Sequence, residues 1–205
     1  MGPFQRELQR LKEYDEVADI GEIARRYFAM NSFDGILTIV GVLAGNYLAG
    51  VRTPSVVITT GMATSVSMAV SGLWGAYLTE SAERQRSLDE LENHTLTDLS
   101  QTRIGRASRA AVFVVSAVDG LAPLLASFLV LTPFFVSHLL GGILYSYYAS
   151  LVVAMLALFG MGAFLGRISK QNVFVAGLKM VVAGVMALLL SYLIEHTVGI
   201  SETGG

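Results

Sequence analysis

Residues 27–49 read YFAMNSFDGILTIVGVLAGNYLA. A helix that crosses a bilayer needs roughly 20 consecutive, mostly apolar residues. This run is long enough, and Asp34 is its single charge. Four further runs satisfy the same test: about 55–78, about 110–131, a stretch within 139–165, and about 172–194. The expectation is an all-α integral membrane protein with five transmembrane helices.

Composition agrees. The chain has 205 residues, 53% of them hydrophobic and 15% charged, where soluble domains carry about 25% charged residues. A net charge of −2 gives no electrostatic footprint for nucleic acid. The absence of cysteine excludes disulfides and thiolate metal sites. The first residues, MGPFQRELQRLKEYDEVADIGEIARR, carry both signs of charge and no apolar core, so no cleavable signal peptide is expected.

The cations set the orientation. Arg6, Arg10, Lys12, Arg25 and Arg26 precede the first span. Arg84, Arg86, Arg103, Arg106 and Arg109 lie between spans two and three, and Arg167 and Lys170 between four and five. The other side has only Arg52, a bias of 12 against 1, with Lys179 inside span five. Lys and Arg collect on the cytoplasmic side, which predicts a cytoplasmic N-terminus and an external C-terminus. Tyr145, Tyr147 and Tyr148 would then join an outer aromatic belt. Lys179 would snorkel to the cytoplasmic surface or neutralise an aspartate.

The predicted organisation has three parts. Residues 1–26 form a cytoplasmic amphipathic segment, with Leu8, Leu11, Ile20 and Ile23 among charges. Residues 27–195 form the transmembrane domain, with a cytosolic helical extension at about 79–108. Residues 196–205 are a C-terminal tail.

Two pairs of short matches suggest an internal repeat. SFDGILTIV at 32–40 resembles AVDGLAPLL at 117–125, and GAYLTES at 75–81 resembles GAFLGRIS at 162–169. One reading is a parallel 2+2 helix repeat with a fifth helix added, as found in transporters; the other is chance similarity between apolar helices. Asp34 lies eight residues past Arg26 and Asp119 ten past Arg109. Both would therefore sit ~12–15 Å along their helices, at about 1.5 Å per residue.

Asp34 and Asp119 are the acids within the spans. Such a group is costly, by at least ~2.5 kcal/mol at mid-membrane, and normally faces the bundle interior or a wet cavity. Each could ligate a divalent cation or carry a proton. Each could equally be a structural aspartate, hydrogen-bonded to Asn31, Ser32 or a neighbouring helix in the case of Asp34. In span two, Met68, Gly72, Gly75 or Ala76, and Glu80 share one helical face. A thioether near carboxylates suits a transition metal better than magnesium or calcium, while ordinary packing would also place a methionine and small residues there.

Beyond that span, Glu80, Glu83 and Glu90 make an acidic stripe, with Glu92 and His94 farther on, and Leu88, Leu91, Leu96 (or Thr95) and Leu99 an apolar one. Glu80 and Glu83 are i, i+3 neighbours that could share a cation; pairing with Arg84 and Arg86 is the alternative. Gly41 with Gly45, and Gly162 with Gly166, predict tight helix contacts within the chain or between copies. No nucleophile motif, phosphate loop or dinucleotide fingerprint is present, so no enzyme is expected.

These motifs, in order, resemble the vacuolar iron transporter family: NSFDG opening span one, then VGVLAG, then SMA in span two, GAYLTESAER, and DGLAPLL in span three. The resemblance covers most of the chain after about residue 25. It implies proton-coupled export of ferrous iron, and often manganese, from the cytosol by a homodimer. The metal is cargo, and no resident cofactor is implied. By the same resemblance Asp34 and Met68 would take part in the metal path, and Pro123 matches the family's Gly-x-x-Pro. Two departures stand out. The family commonly has GEY or GEF soon after SMA, whereas Gly72 or Ala76 occupies the position of that glutamate here. The glutamate-rich cytosolic insertion is also much shorter. The chain therefore looks like a divergent, prokaryotic branch, with Asp34, Met68, Glu80, Glu83, Glu90 and Asp119 as its metal residues. A membrane-embedded binding or scaffold protein and a proton-coupled carrier of another solute are the competing readings.

Overall fold

The computed structural model of the chain describes residues 19–202. The regular elements among them are five α-helices: α1 (Ile20–Leu48), α2 (Pro54–Thr95), α3 (Arg103–Phe135), α4 (Ile143–Ile168) and α5 (Val173–Glu202). Each contains an apolar window long enough to cross a membrane. The class expected from the sequence is the class observed.

Local chemistry explains how runs so rich in Ser and Thr stay helical. Their hydroxyls donate back to carbonyls one turn earlier: Thr60 to Val56, Thr64 to Thr60, Ser65 to Gly61 and Ser116 to Val112, at 2.6–2.9 Å. In an apolar solvent a polar group must be satisfied internally, and these bonds do so without breaking the helix. Pro54 begins α2, where its missing N–H costs nothing. Asn172 caps α5, its Oδ1 accepting from the amides of Phe174 and Val175 at 3.0 and 3.2 Å.

Several boundaries differ in detail from expectation. Ile20 to Arg26 are the first turns of α1 and run unbroken into the span. Leu8 and Leu11 of the expected amphipathic segment lie outside the described residues. At the other end, α5 continues past 195 to Glu202. The extension of α2 ends at Thr95, earlier than its leucine stripe implied. Leu96 adopts a left-handed backbone (φ 51°) and is 92% exposed, so it leaves the stripe. The following turn makes its own bonds: the Leu99 amide donates to Glu92 Oε1 (2.7 Å) and the Ser100 amide to Asp98 Oδ1 (2.8 Å). Hydrogen bonds from Ser100 hold the Asp98 carboxyl below its ordinary value. Local side-chain acceptors of this kind compete with helix continuation.

The described residues divide into two compact units. In the unit formed by 31–68 and 122 onward, Ile36, Ile39, Val40, Leu43, Val57, Leu131, Phe134 and Leu158 make a buried core. Tyr147 belongs to that core and not to an aromatic belt. It is 6% exposed, packs edge-on against Phe134 and Tyr47, and donates its hydroxyl to the Val51 carbonyl at 3.2 Å. Tyr145 and Tyr148 are exposed, as a belt requires. α4 meets α5 through glycines: a Cβ on Gly162 would strike the Ala176 carbonyl, and one on Gly166 would lie 2.7 Å from the Ala176 Cβ. The Gly162/Gly166 expectation is thus met within the chain, whereas Gly41 and Gly45 face open space.

In the unit formed by residues up to 30 with 69–121, Ala29, Ala76, Leu88, Ala107, Ala111, Val112 and Val115 are buried. Small side chains dominate it, as expected where helix backbones approach closely without a hydrophobic driving force.

Candidate functional site

Asp34 sits in mid-α1, one residue before a close helix crossing. A Cβ on Gly35 would lie 2.6 Å from the Pro123 carbonyl oxygen and 2.7 Å from the Pro123 Cα, a separation that only glycine tolerates. Ser127 Oγ donates to the Gly35 carbonyl at 3.3 Å and fastens the same crossing. Asp34 itself is exposed. Burial in the bundle interior, expected from depth alone, is not what the single chain shows.

Asp119 is the opposite case, at 9% exposure. Its neighbour Gly120 packs on α2, where a Cβ would stand 2.7 Å from both the Ala69 carbonyl oxygen and the Leu73 Cβ. Gly72 of α2 faces Asp119 itself: its Cβ would lie 3.0 Å from the Asp119 carbonyl oxygen and 3.1 Å from Oδ2. A side chain at 72 would therefore compete for the space the Asp119 carboxylate fills. Sequence reasoning did not find Gly72 as a contact of Asp119. The signal was the position where a glutamate would have been expected.

Along α2 the less exposed positions include Val57, Gly61, Ser65, Met68, Gly72, Ala76, Glu80, Arg84 and Leu88. They recur every three to four residues, the spacing of one helical face. Met68, Gly72, Ala76 and Glu80 thus share the inward face, as expected, and Gly75 faces open space.

Two of the three candidate acids of the α2 extension, Glu80 and Glu90, pair with arginines. Glu80 accepts from the Tyr27 hydroxyl at 3.2 Å and from Arg84 Nε at 3.2 Å, with both charged side chains 16% exposed. Glu90 pairs with Arg86 at 3.0 Å in the open, at 62% and 75% exposure. Glu83 is exposed. This is the arginine-paired arrangement named above as the alternative to cation sharing. Among the described residues no three His, Asp or Glu side chains converge as a metal site.

The family model of the VIT family matches residues 26–110 and 90–196, most of the chain. The chain belongs to the VIT family. That is a family of membrane metal-ion transporters, so this VIT protein is an integral multi-pass membrane protein of the ion-transport class. It is also similar to an uncharacterized protein of Methanocaldococcus jannaschii, with 29% identity over 178 residues, 85% of this chain and 90% of that one. The archaeal relative agrees with a divergent prokaryotic branch of the VIT family.

Proposed function

We propose that this VIT protein exports a divalent transition metal, ferrous iron or manganese, from the cytosol in exchange for protons. Asp34, Met68 and Asp119 form the membrane part of the path, and Glu80, Glu83 and Glu90 collect the ion at its cytosolic end. The N-terminus is cytoplasmic and the C-terminus external, in a prokaryotic cytoplasmic membrane.

The observation that carries this reading is the exposure of Asp34 within the apolar run of α1. A carboxylate left against lipid at that depth costs at least ~2.5 kcal/mol, so the working protein must cover it with water, an ion or protein. Asp34, Gly41 and Gly45 share one face by helical spacing, and among the described residues a Cβ added at either glycine would meet nothing within 4 Å. A second copy laid along that face would cover the acid, which supports a homodimer. A carboxylate is a hard oxygen ligand and Met68 a soft one, a mixture suited to ferrous iron or manganese over magnesium.

Glu80 releases its cation site only if Arg84 or Tyr27 lets go, so the paired acids favour a slower collecting role than free carboxylates would have. The same pairs support the scaffold reading for the extension alone. The decisive experiment is flux in proteoliposomes, with a metal-quenched dye inside and a proton gradient imposed. Ferrous iron or manganese should enter with wild type and not with Asp34→Ala. Full flux in Asp34→Ala, or none in wild type, would defeat the proposal; a metal-independent thermal melt with no flux would favour the scaffold.

A further inference from the structure

The unit formed by 31–68 and 122 onward contains a cavity of 210 Å³ that the transport reading does not use. It lies where the C-terminal end of α1, the N-terminal end of α4 and the later turns of α5 meet. Four tyrosines line it, Tyr47, Tyr147, Tyr148 and Tyr192, together with leucines such as Leu43 and Leu188. An apolar cavity of about 150 Å³ is already enough to take up a benzene ring, so this one has room for a piece of hydrocarbon chain. Two of its walls are open to the surroundings, since Tyr148 and Tyr192 are each 55% exposed. A void of this kind beside lipid forfeits dispersion contacts on its lining unless something apolar fills it.

Its rim is cationic. The Arg52 guanidinium stands 5.2 Å from the centre of the Tyr47 ring, a cation–π distance. Arg52 Nη1 and the Tyr147 hydroxyl both donate to the Val51 carbonyl, at 3.4 and 3.2 Å. The arginine is thereby tied to two of the cavity's tyrosines. On the other wall the His196 ring stacks on Tyr192, with centroids 6.3 Å apart and planes 6° apart. Arg52 is also the cation that breaks the charge pattern, standing alone on its side against 12 on the other. It is therefore the cation that this side offers to a phosphate.

We propose that this cavity binds one anionic phospholipid, an acyl chain between the tyrosines and the phosphate on Arg52, with His196 beside it. The occupant follows from the chemistry: an apolar slot that opens toward lipid, capped at the helix ends by amphipathic rings and a guanidinium suited to bidentate phosphate contact. The site is separate from Asp34, Met68 and the acids of α2. It stands whether or not the chain carries metal.

Native mass spectrometry of the purified full chain in detergent tests it, with phosphatidylglycerol and phosphatidylcholine of matched chains as probes. Wild type should retain one phosphatidylglycerol with about fivefold preference, the effect of a single arginine at an anionic surface. Arg52→Gln leaves the packing intact and should erase the preference. Ala44→Phe fills the cavity from its α1 wall and should lose both lipids. Equal retention by all three proteins would mean annular lipid only and would overturn the proposal. Loss in Ala44→Phe with an unchanged preference in Arg52→Gln would overturn the phosphate contact. A changed dimer fraction in Ala44→Phe with lipid retention unaltered would assign the cavity to a second copy.

Discussion

Asp34-Gly35 and Asp119-Gly120 are the same dipeptide in two helices, and their surroundings differ. In both, the glycine is a helix crossing, with backbone of another helix inside the space a Cβ would need: Pro123 for Gly35, Ala69 for Gly120. In one the acid is exposed and in the other it is 9% exposed. The aspartate sits one residue, about 100° of helical turn, from its glycine. A crossing fixed by the glycine therefore leaves the acid's burial to whatever covers the next quadrant. At Asp119 that is Gly72 of α2. Asp34 is exposed among the described residues, which is why the proposed dimer matters there.

Eight substitutions sharpen or break this contrast. The largest effect expected is on flux. Asp34→Ala should lower metal flux at least about tenfold, since even an outer-shell partner at a metal site is worth that much, with the melting temperature nearly unchanged. Asp119→Ala should also lower melting, by the ~1–3 kcal/mol of a disturbed buried polar group. Equal melting shifts for the two would erase the distinction between exposed and buried acid.

Next come Gly35→Ala and Gly120→Ala. Each puts a methyl into backbone and should cost about 1–3 kcal/mol as overpacking, or roughly 2–4 °C per kcal/mol in a chain of this size. Gly45→Ala, whose Cβ meets nothing within 4 Å, is the control and should melt no lower than wild type. A drop there in the dimer but not in the monomer, separated by size exclusion, would support the second copy on that face.

Gly72→Ala is milder. Its nearest atoms include the movable Asp119 carboxylate at 3.1 Å, so about 1 kcal/mol is expected, at the low end of overpacking. Flux should fall more than melting if the carboxylate is part of the path. The smallest effect is at the acids of the extension. Arg86→Ala exposes Glu90 from a solvated pair and should change stability by at most ~0.5 kcal/mol. Arg84→Ala, at a pair only 16% exposed, should cost more. Equal values in urea or thermal titrations would remove the difference in burial as the cause.

Much of the fold was legible because membrane spans follow from an additive property. Length and apolar content found all five helices, and small-residue spacing found the Gly162/Gly166 contact with α5. The period of α2 also put Met68, Gly72, Ala76 and Glu80 on one face. What periodicity missed were events set by single bonds. The left-handed turn at Leu96 ended the extension early. Tyr147 left the belt for the core because its hydroxyl finds the Val51 carbonyl. The acids of the extension were ambiguous because a glutamate four residues from an arginine reads alike as an ion pair and as a free ligand.

The sequence by itself determined the membrane class, the five spans and the two aspartate-glycine pairs, because hydropathy and spacing act along one chain. Only the tertiary structure decided that Asp119 is packed against Gly72, that Asp34 is left open, and that Arg52 stands by the ring of Tyr47, one of four tyrosines lining a cavity. Those facts depend on which helix covers which face, and that choice is made by contacts between residues distant in sequence.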